Sequence, residues 1–284
     1  MKSVKYLFAA LLLCCISCST TPSTIDVLIL TGHTNKPHNC EVMVDTLTKV
    51  LAEYEMFQSS IVTIDADKPF SFDFIQRDAD VVVLNFNEVE WDETTKRSFE
   101  EYVYGGGGVM VMHEADNAFP DWEGYNRIIG LGGWYGRDVN SGPYLYYKDG
   151  EQVRDPQSGI CGSHGPTAPF EIEVRNSEHP IMKGLPAKWM HYGDQLTSNL
   201  RGPAEQVEIL ATAYSDPANR GSGKDEPMIF TIGYGEGRIV QTVLGHTQAG
   251  NGEAVGNRGF QVTFLRSVEW VATGEVKELK DLIF

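Results

Sequence analysis

The sequence has few of the features that would settle its class at a glance. Cysteine is scarce: five in 284 residues, with Cys14, Cys15 and Cys18 in the first eighteen and only Cys40 and Cys161 beyond. They form no CxxC pair suited to a structural zinc and no disulfide framework of a small secreted domain. No apolar run reaches the ~20 residues a membrane-spanning helix needs. Positive charge is deficient, with 23 Lys and Arg against 39 Asp and Glu, a net charge of −16. That balance argues against non-specific binding to nucleic acid or an anionic membrane. There is no GxSxG elbow, no HExxH, and no glycine-rich loop followed by Lys-Ser/Thr. What is present is 42% hydrophobic residues, enough for a packed core, and 29 glycines, about one residue in ten. The glycines point to tight turns and to loops that approach a ligand closely.

The first residues read as an address. Lys2 and Lys5 precede an apolar run over residues 6–16 (YLFAALLLCCI), followed by Cys15-Ile16-Ser17-Cys18. The run has the length of a signal-peptide core. A small residue before a cysteine after such a run resembles the bacterial lipoprotein cleavage box. The resemblance implies removal of residues 1–17, lipidation of Cys18, and a cell-envelope location with the lipid as the only contact to membrane. Residues 18–24 then form a flexible tether. Losing Lys2 and Lys5 leaves 21 basic against 39 acidic groups, or −18.

From Ile25 the pattern alternates strand and helix. Residues 25–30, 60–64, 80–85 and 109–112 read as strands, and 38–56 and 92–104 as helices, the second capped by Asp92. This order predicts a doubly wound, mainly parallel sheet, with ligands beyond the carboxyl ends of its strands. The second half is richer in strand, with candidates at 143–147, 169–174, 207–213, 228–233 and 238–243. The last two flank the glycine-rich turn Gly233-Tyr234-Gly235-Glu236-Gly237, and a closing helix follows at 257–273. Residues 132–168 read as a long Gly-rich binding loop. One α/β domain over 25–275 with a short tail at 276–284 accounts for the chain.

Several stretches resemble the ThuA-like, trehalose-utilisation family. They are Gly106–His113, Trp122-Glu123-Gly124-Tyr125, Gly132-Gly133-Trp134, His179–Pro186, His191–Leu196, Tyr234–Ile239 with Leu244-Gly245-His246, and Glu269–Gly274. The resemblance implies a flavodoxin-like fold similar to class I glutamine amidotransferases. It also implies a role in sugar breakdown, on keto-sugars or glycosides oxidised at a ring carbon. Asp194-Gln195 stands where the family usually has Asp-Glu, which removes one carboxylate.

The candidate chemistry gathers at strand ends. His113-Glu114 occupies the place of the nucleophile elbow, but offers no Cys or Ser, so cysteine-dependent acyl transfer is excluded and proton transfer is favoured. His33, after the first strand, and His246, after the last, are set to polarise a carbonyl. Asn35, His38, Asp116, Trp134, Asp138, His164 and Asp194 are the candidate substrate contacts. His33, His113 and His246 form an imidazole set that suits zinc or another divalent metal. A polar sugar site using the same histidines as donors and bases, with no metal, explains them equally. A non-catalytic sugar-binding lipoprotein is the rival reading; a pure binder needs aromatics and amides but no imidazole cluster.

Overall fold

The computed structural model describes residues 24–32, 39–87, 89–247 and 252–284. The run Ile25–Thr31 forms β1, buried along its length except at Asp26, whose carboxylate is gripped by Arg77 at 2.7 and 3.0 Å. Helix α1 (Cys40–Ala52) begins where the Asn39 side chain accepts from Val42 N, and it lays Met43, Leu47, Val50 and Leu51 on the sheet. Strand β2 (Phe57–Thr63), the short α2 (Phe74–Arg77) and the buried β3 (Val81–Asn85) follow. Asp92 caps α3 (Glu93–Tyr104) by accepting from Thr95 N at 2.7 Å. Strand β4 (Gly108–Val111) runs into a 3-10 turn over His113–Asn117, and α4 (Glu123–Ile129) comes after it.

The remaining elements are mostly strands: β5 (Tyr144–Lys148), β6 (Glu151–Asp155), β7 (Ser163–Thr167), β8 (Phe170–Val174), β9 (Lys188–His191), β10 (Gln195–Ser198), β11 (Val207–Tyr214), β12 (Asp225–Tyr234) and β13 (Gly237–Thr242). Helices α5 (Glu253–Gly256) and α6 (Arg258–Thr273) close the fold. The main sheet runs β2-β1-β3-β4-β13-β12-β11-β8-β9. Its first five strands pair in parallel, which is the flavodoxin-like part. From β13 onward every pairing is antiparallel. Helices cover the parallel strands, so β1, β3 and β4 carry near-continuous apolar runs.

Two expectations change in detail. The stretch 132–168 is not one loop: it contains the β5–β6 hairpin and β7, which pairs with β10 in a separate two-stranded sheet. Residues 276–284 pack rather than trail. Lys277, Glu278 and Leu279 donate their backbone N–H groups to the buried Glu269 carboxylate at 2.8–3.1 Å, and Leu279 joins the core. Cys40 and Cys161 are both free thiols. Among the described residues no helix is long and apolar enough to cross a membrane. Residues 1–23, with Cys18 and the signal-peptide pattern, lie outside the described residues.

Candidate functional site

The site is assembled from the carboxyl ends of β4 and β13. The turn after β4 carries His113, Glu114, Asp116 and Asn117, which are 4%, 4%, 0% and 5% exposed. The segment after β13 carries Gly245, His246 and Thr247. Gly245 sits at φ +102°, and a Cβ there would lie 2.8 Å from Met43 and 3.0 Å from Phe260. Only glycine fits that space and that backbone, so the chain bends sharply just before His246. Thr247 hydroxyl accepts from Asn39 N and donates to Asn39 O, tying this segment to the start of α1.

The histidines meet. The His113 and His246 ring centroids are 5.2 Å apart, and His164 of β7 lies 6.2 Å from His246. Trp134 stands 6.2 Å from His164 on the other side. His164 Nδ1 is 2.9 Å from Gly165 O, a carbonyl that can only accept, so Nδ1 is the donor in this contact. Trp134 and its neighbour Tyr135 both have left-handed backbones, φ +53° and +47°. Bulky residues hold such φ only where the surroundings over-determine them. Here Arg137, 6% exposed, provides the hold. Its guanidinium donates to the backbone carbonyls of Asn117, Ala118 and Gly133 and to Asn126 Oδ1, at 2.7–3.1 Å.

Burial sets the protonation states. Glu114 is removed from water, and the neighbouring Asp116 carboxyl adds repulsion; together they push its pKa up to about 8. Asp116 is also held well above the carboxylate range by burial, which the Arg137 charge offsets only in part. His246 moves the other way: desolvation lowers its pKa, against the opposing pull of Asp194. The shifts run in opposite directions, with burial favouring the protonated carboxyl of Glu114 and the neutral imidazole of His246.

Asp194 has a different place from the one expected. Rather than facing a sugar hydroxyl, it is fully buried and both oxygens are taken by this chain. Oδ2 accepts from His191 Nε2 at 2.7 Å and Gly245 N at 2.7 Å; Oδ1 accepts from Gln195 N at 2.7 Å and His246 N at 3.1 Å. It holds the backbone of Gly245 and His246 and is closed to solvent. Asp138 is exposed and caps the short turn Val139–Ser141 through Asn140 N and Ser141. Asp116 lies behind Glu114, closed to solvent. His33, Asn35 and His38 lie outside the described residues, so the proposed metal set of His33, His113 and His246 is described only at its last two members. Among the described residues no three His, Cys, Asp or Glu side chains group to hold a metal ion. Arg137, which the sequence offers with Asp138 as a contact to sugar hydroxyls or as half of a surface ion pair, is instead buried and holds backbone carbonyls, and Asn117 is a site builder that the sequence reading lacks. Asn117 ends the same His-Glu-x-Asp-Asn turn, and that continuity was the available signal.

The fold and this crevice define a flavodoxin-like α/β protein with an imidazole and carboxyl centre at the carboxyl edge of its parallel sheet. The chain belongs to the ThuA family, described as trehalose utilisation, whose model matches residues 26–271. It is similar to the ThuA-like protein of Parabacteroides merdae ATCC 43184, at 44% identity and a TM-score of 0.85, covering 90% of this chain and 92% of that one. A ThuA-like protein of Bacteroides uniformis ATCC 8492 shares the fold at 20% identity and a TM-score of 0.60, covering 90% and 96% of the two chains. No curated protein sequence matches this chain.

Proposed function

We propose that this ThuA-family protein is an enzyme acting on a keto-sugar or a glycoside oxidised at a ring carbon. The observation that carries the reading is the meeting of the His113 and His246 rings at 5.2 Å beyond the parallel strands, with the buried Glu114 next in the chain to His113; burial supports it by favouring a protonated Glu114 and a neutral His246. In a cleavage beside a carbonyl, the C–H bond next to that carbonyl breaks and its proton passes to the neutral imidazole of His246. The electron pair forms the carbon–carbon double bond, the glycosidic C–O bond breaks, and the leaving oxygen takes the Glu114 proton. Isomerisation uses the same pair, with the proton returned to the neighbouring carbon. His113 and His164 hold oxygens of the sugar, and Trp134 offers a flat face to the ring. His33 and His113, with His246, are the residues that would hold a divalent metal if one takes part.

The test is turnover. The purified protein, incubated with disaccharides oxidised at one ring hydroxyl and with the unoxidised parents, is expected to release a monosaccharide from the oxidised set. Binding of the oxidised disaccharides without any change in them would overturn the enzyme and favour a sugar-binding protein.

The same reading includes a lipid anchor at Cys18, in the envelope of a bacterium. Cys18→Ser is expected to move the protein from the membrane fraction to the soluble fraction and to abolish the added acyl mass in intact-protein mass spectrometry. Equal membrane retention of variant and parent would reject the anchor.

A further inference from the structure

A groove of about 620 Å³ opens beside the imidazole centre, within the ~300–1,000 Å³ usual for small-molecule sites. It begins at Asn117, in the same turn as His113, and at Tyr135, next in the chain to Trp134. Asn87, after β3, and Phe119 and Trp122, before α4, complete its polar and aromatic lining.

The lining is built, not incidental. Phe119 has a left-handed backbone at φ +48°, as Tyr135 has at +47°. The buried Asn87 donates from Nδ2 to the Tyr135 hydroxyl at 3.3 Å, which holds a ring that is 43% exposed. Phe119 and Trp122 are backed by Trp91, with ring centroids at 5.4 and 5.8 Å, so their faces are fixed from below. The rim is acidic: among the described residues that line it, Glu90, Glu93, Asp121 and Glu123 stand against one base, Lys96. That field repels phosphates and carboxylates and leaves a neutral polyol as the matching ligand.

We propose that this groove is a second sugar subsite. It takes the neutral ring on the far side of the scissile bond from the ring held by the imidazoles. The inference rests on the carbohydrate reading above and makes the substrate a disaccharide or larger glycoside, not a free monosaccharide. Tyr135 supplies the stacking face.

The probes are trehalose and methyl α-glucoside, each oxidised at one ring hydroxyl, titrated calorimetrically into the full protein and into Tyr135→Ala and Tyr135→Phe. The parent is expected to bind the oxidised disaccharide on the order of tenfold more tightly than the methyl glycoside. Tyr135→Ala removes that advantage and moves the methyl glycoside by less than about twofold, while Tyr135→Phe, which keeps the ring face, retains most of it. Equal affinity for the two probes in the parent, or an advantage surviving in Tyr135→Ala, overturns the subsite and leaves the sugar site standing. If neither probe binds the parent, the carbohydrate reading falls and the subsite falls with it.

Discussion

Glu114→Gln is expected to lower turnover of an oxidised glycoside at pH 7 by about two to four orders of magnitude, the usual range for removing a positioned acid. The amide keeps the shape of the side chain but has no proton to give to a leaving oxygen. The parent is expected to show an alkaline limb, with kcat/KM falling about tenfold per pH unit above about pH 8, where the Glu114 carboxyl loses its proton. The variant has lost that limb, and a pH–rate profile from pH 5 to 10 reads both effects. A parent profile flat through pH 9, or a variant that keeps full rate, would remove Glu114 from the acid role.

The same shift has a stability consequence of opposite sign. Glu114 keeps its proton in the folded state up to about pH 8, against an ordinary carboxyl value of 4.5 in the open chain. Between those values the folded state binds the extra proton, so stability falls as pH rises, by about 1.4 kcal/mol per unit. Below the window both states are protonated and above it both are ionised, so the effect is absent at the acid end and complete at the alkaline end. Urea unfolding at pH 5 and 8.5 should therefore show Glu114→Gln gaining on the parent at the higher pH. A variant that is less active and relatively more stable in alkali is what a buried acid predicts; a general packing defect lowers both.

How far the sequence disclosed this depends on how local each feature is. The buried strands β1, β3 and β4 were legible because each is a continuous apolar run, and Asp92 and the Gly233–Gly237 turn announced their elements through local chemistry. The strand-end positions of His113 and His246 were legible for the same reason, and the two rings do meet. The β7, β9 and β10 strands were not, since each is four or five residues long and carries no apolar run. Tyr135 carries no local signal in the sequence. Its importance comes from a left-handed backbone and a bond from Asn87, which is 48 residues away in the chain. Contacts of that separation leave no trace in composition or spacing.

Asp194 is the clearest case of a residue whose type was legible and whose task was not, and it carries the largest expected loss of stability. Asp194→Ala is expected to cost about 3–5 kcal/mol, because it strands a buried histidine and three backbone N–H groups that have no water to turn to. For a chain of this size that is a fall in Tm of about 10 °C or more. Asp194→Asn separates geometry from charge. With the amide nitrogen in place of Oδ2, His191 can reverse its tautomer and accept from it, but Gly245 N–H then faces a second donor and cannot turn away. With the nitrogen in place of Oδ1, the N–H groups of both Gln195 and His246 face a donor. The asparagine variant should therefore adopt the first arrangement and lose roughly 1–3 kcal/mol. Its damage concentrates at Gly245, so amide hydrogen exchange there should speed up well beyond that of β13 itself. His246 is carried on that bend, so turnover should fall in the folded asparagine variant even though Asp194 is itself closed to solvent. Unchanged exchange at Gly245, or an alanine variant that melts within about 2 °C of the parent, would mean that the bend is held by Met43 and Phe260 packing around Gly245 instead.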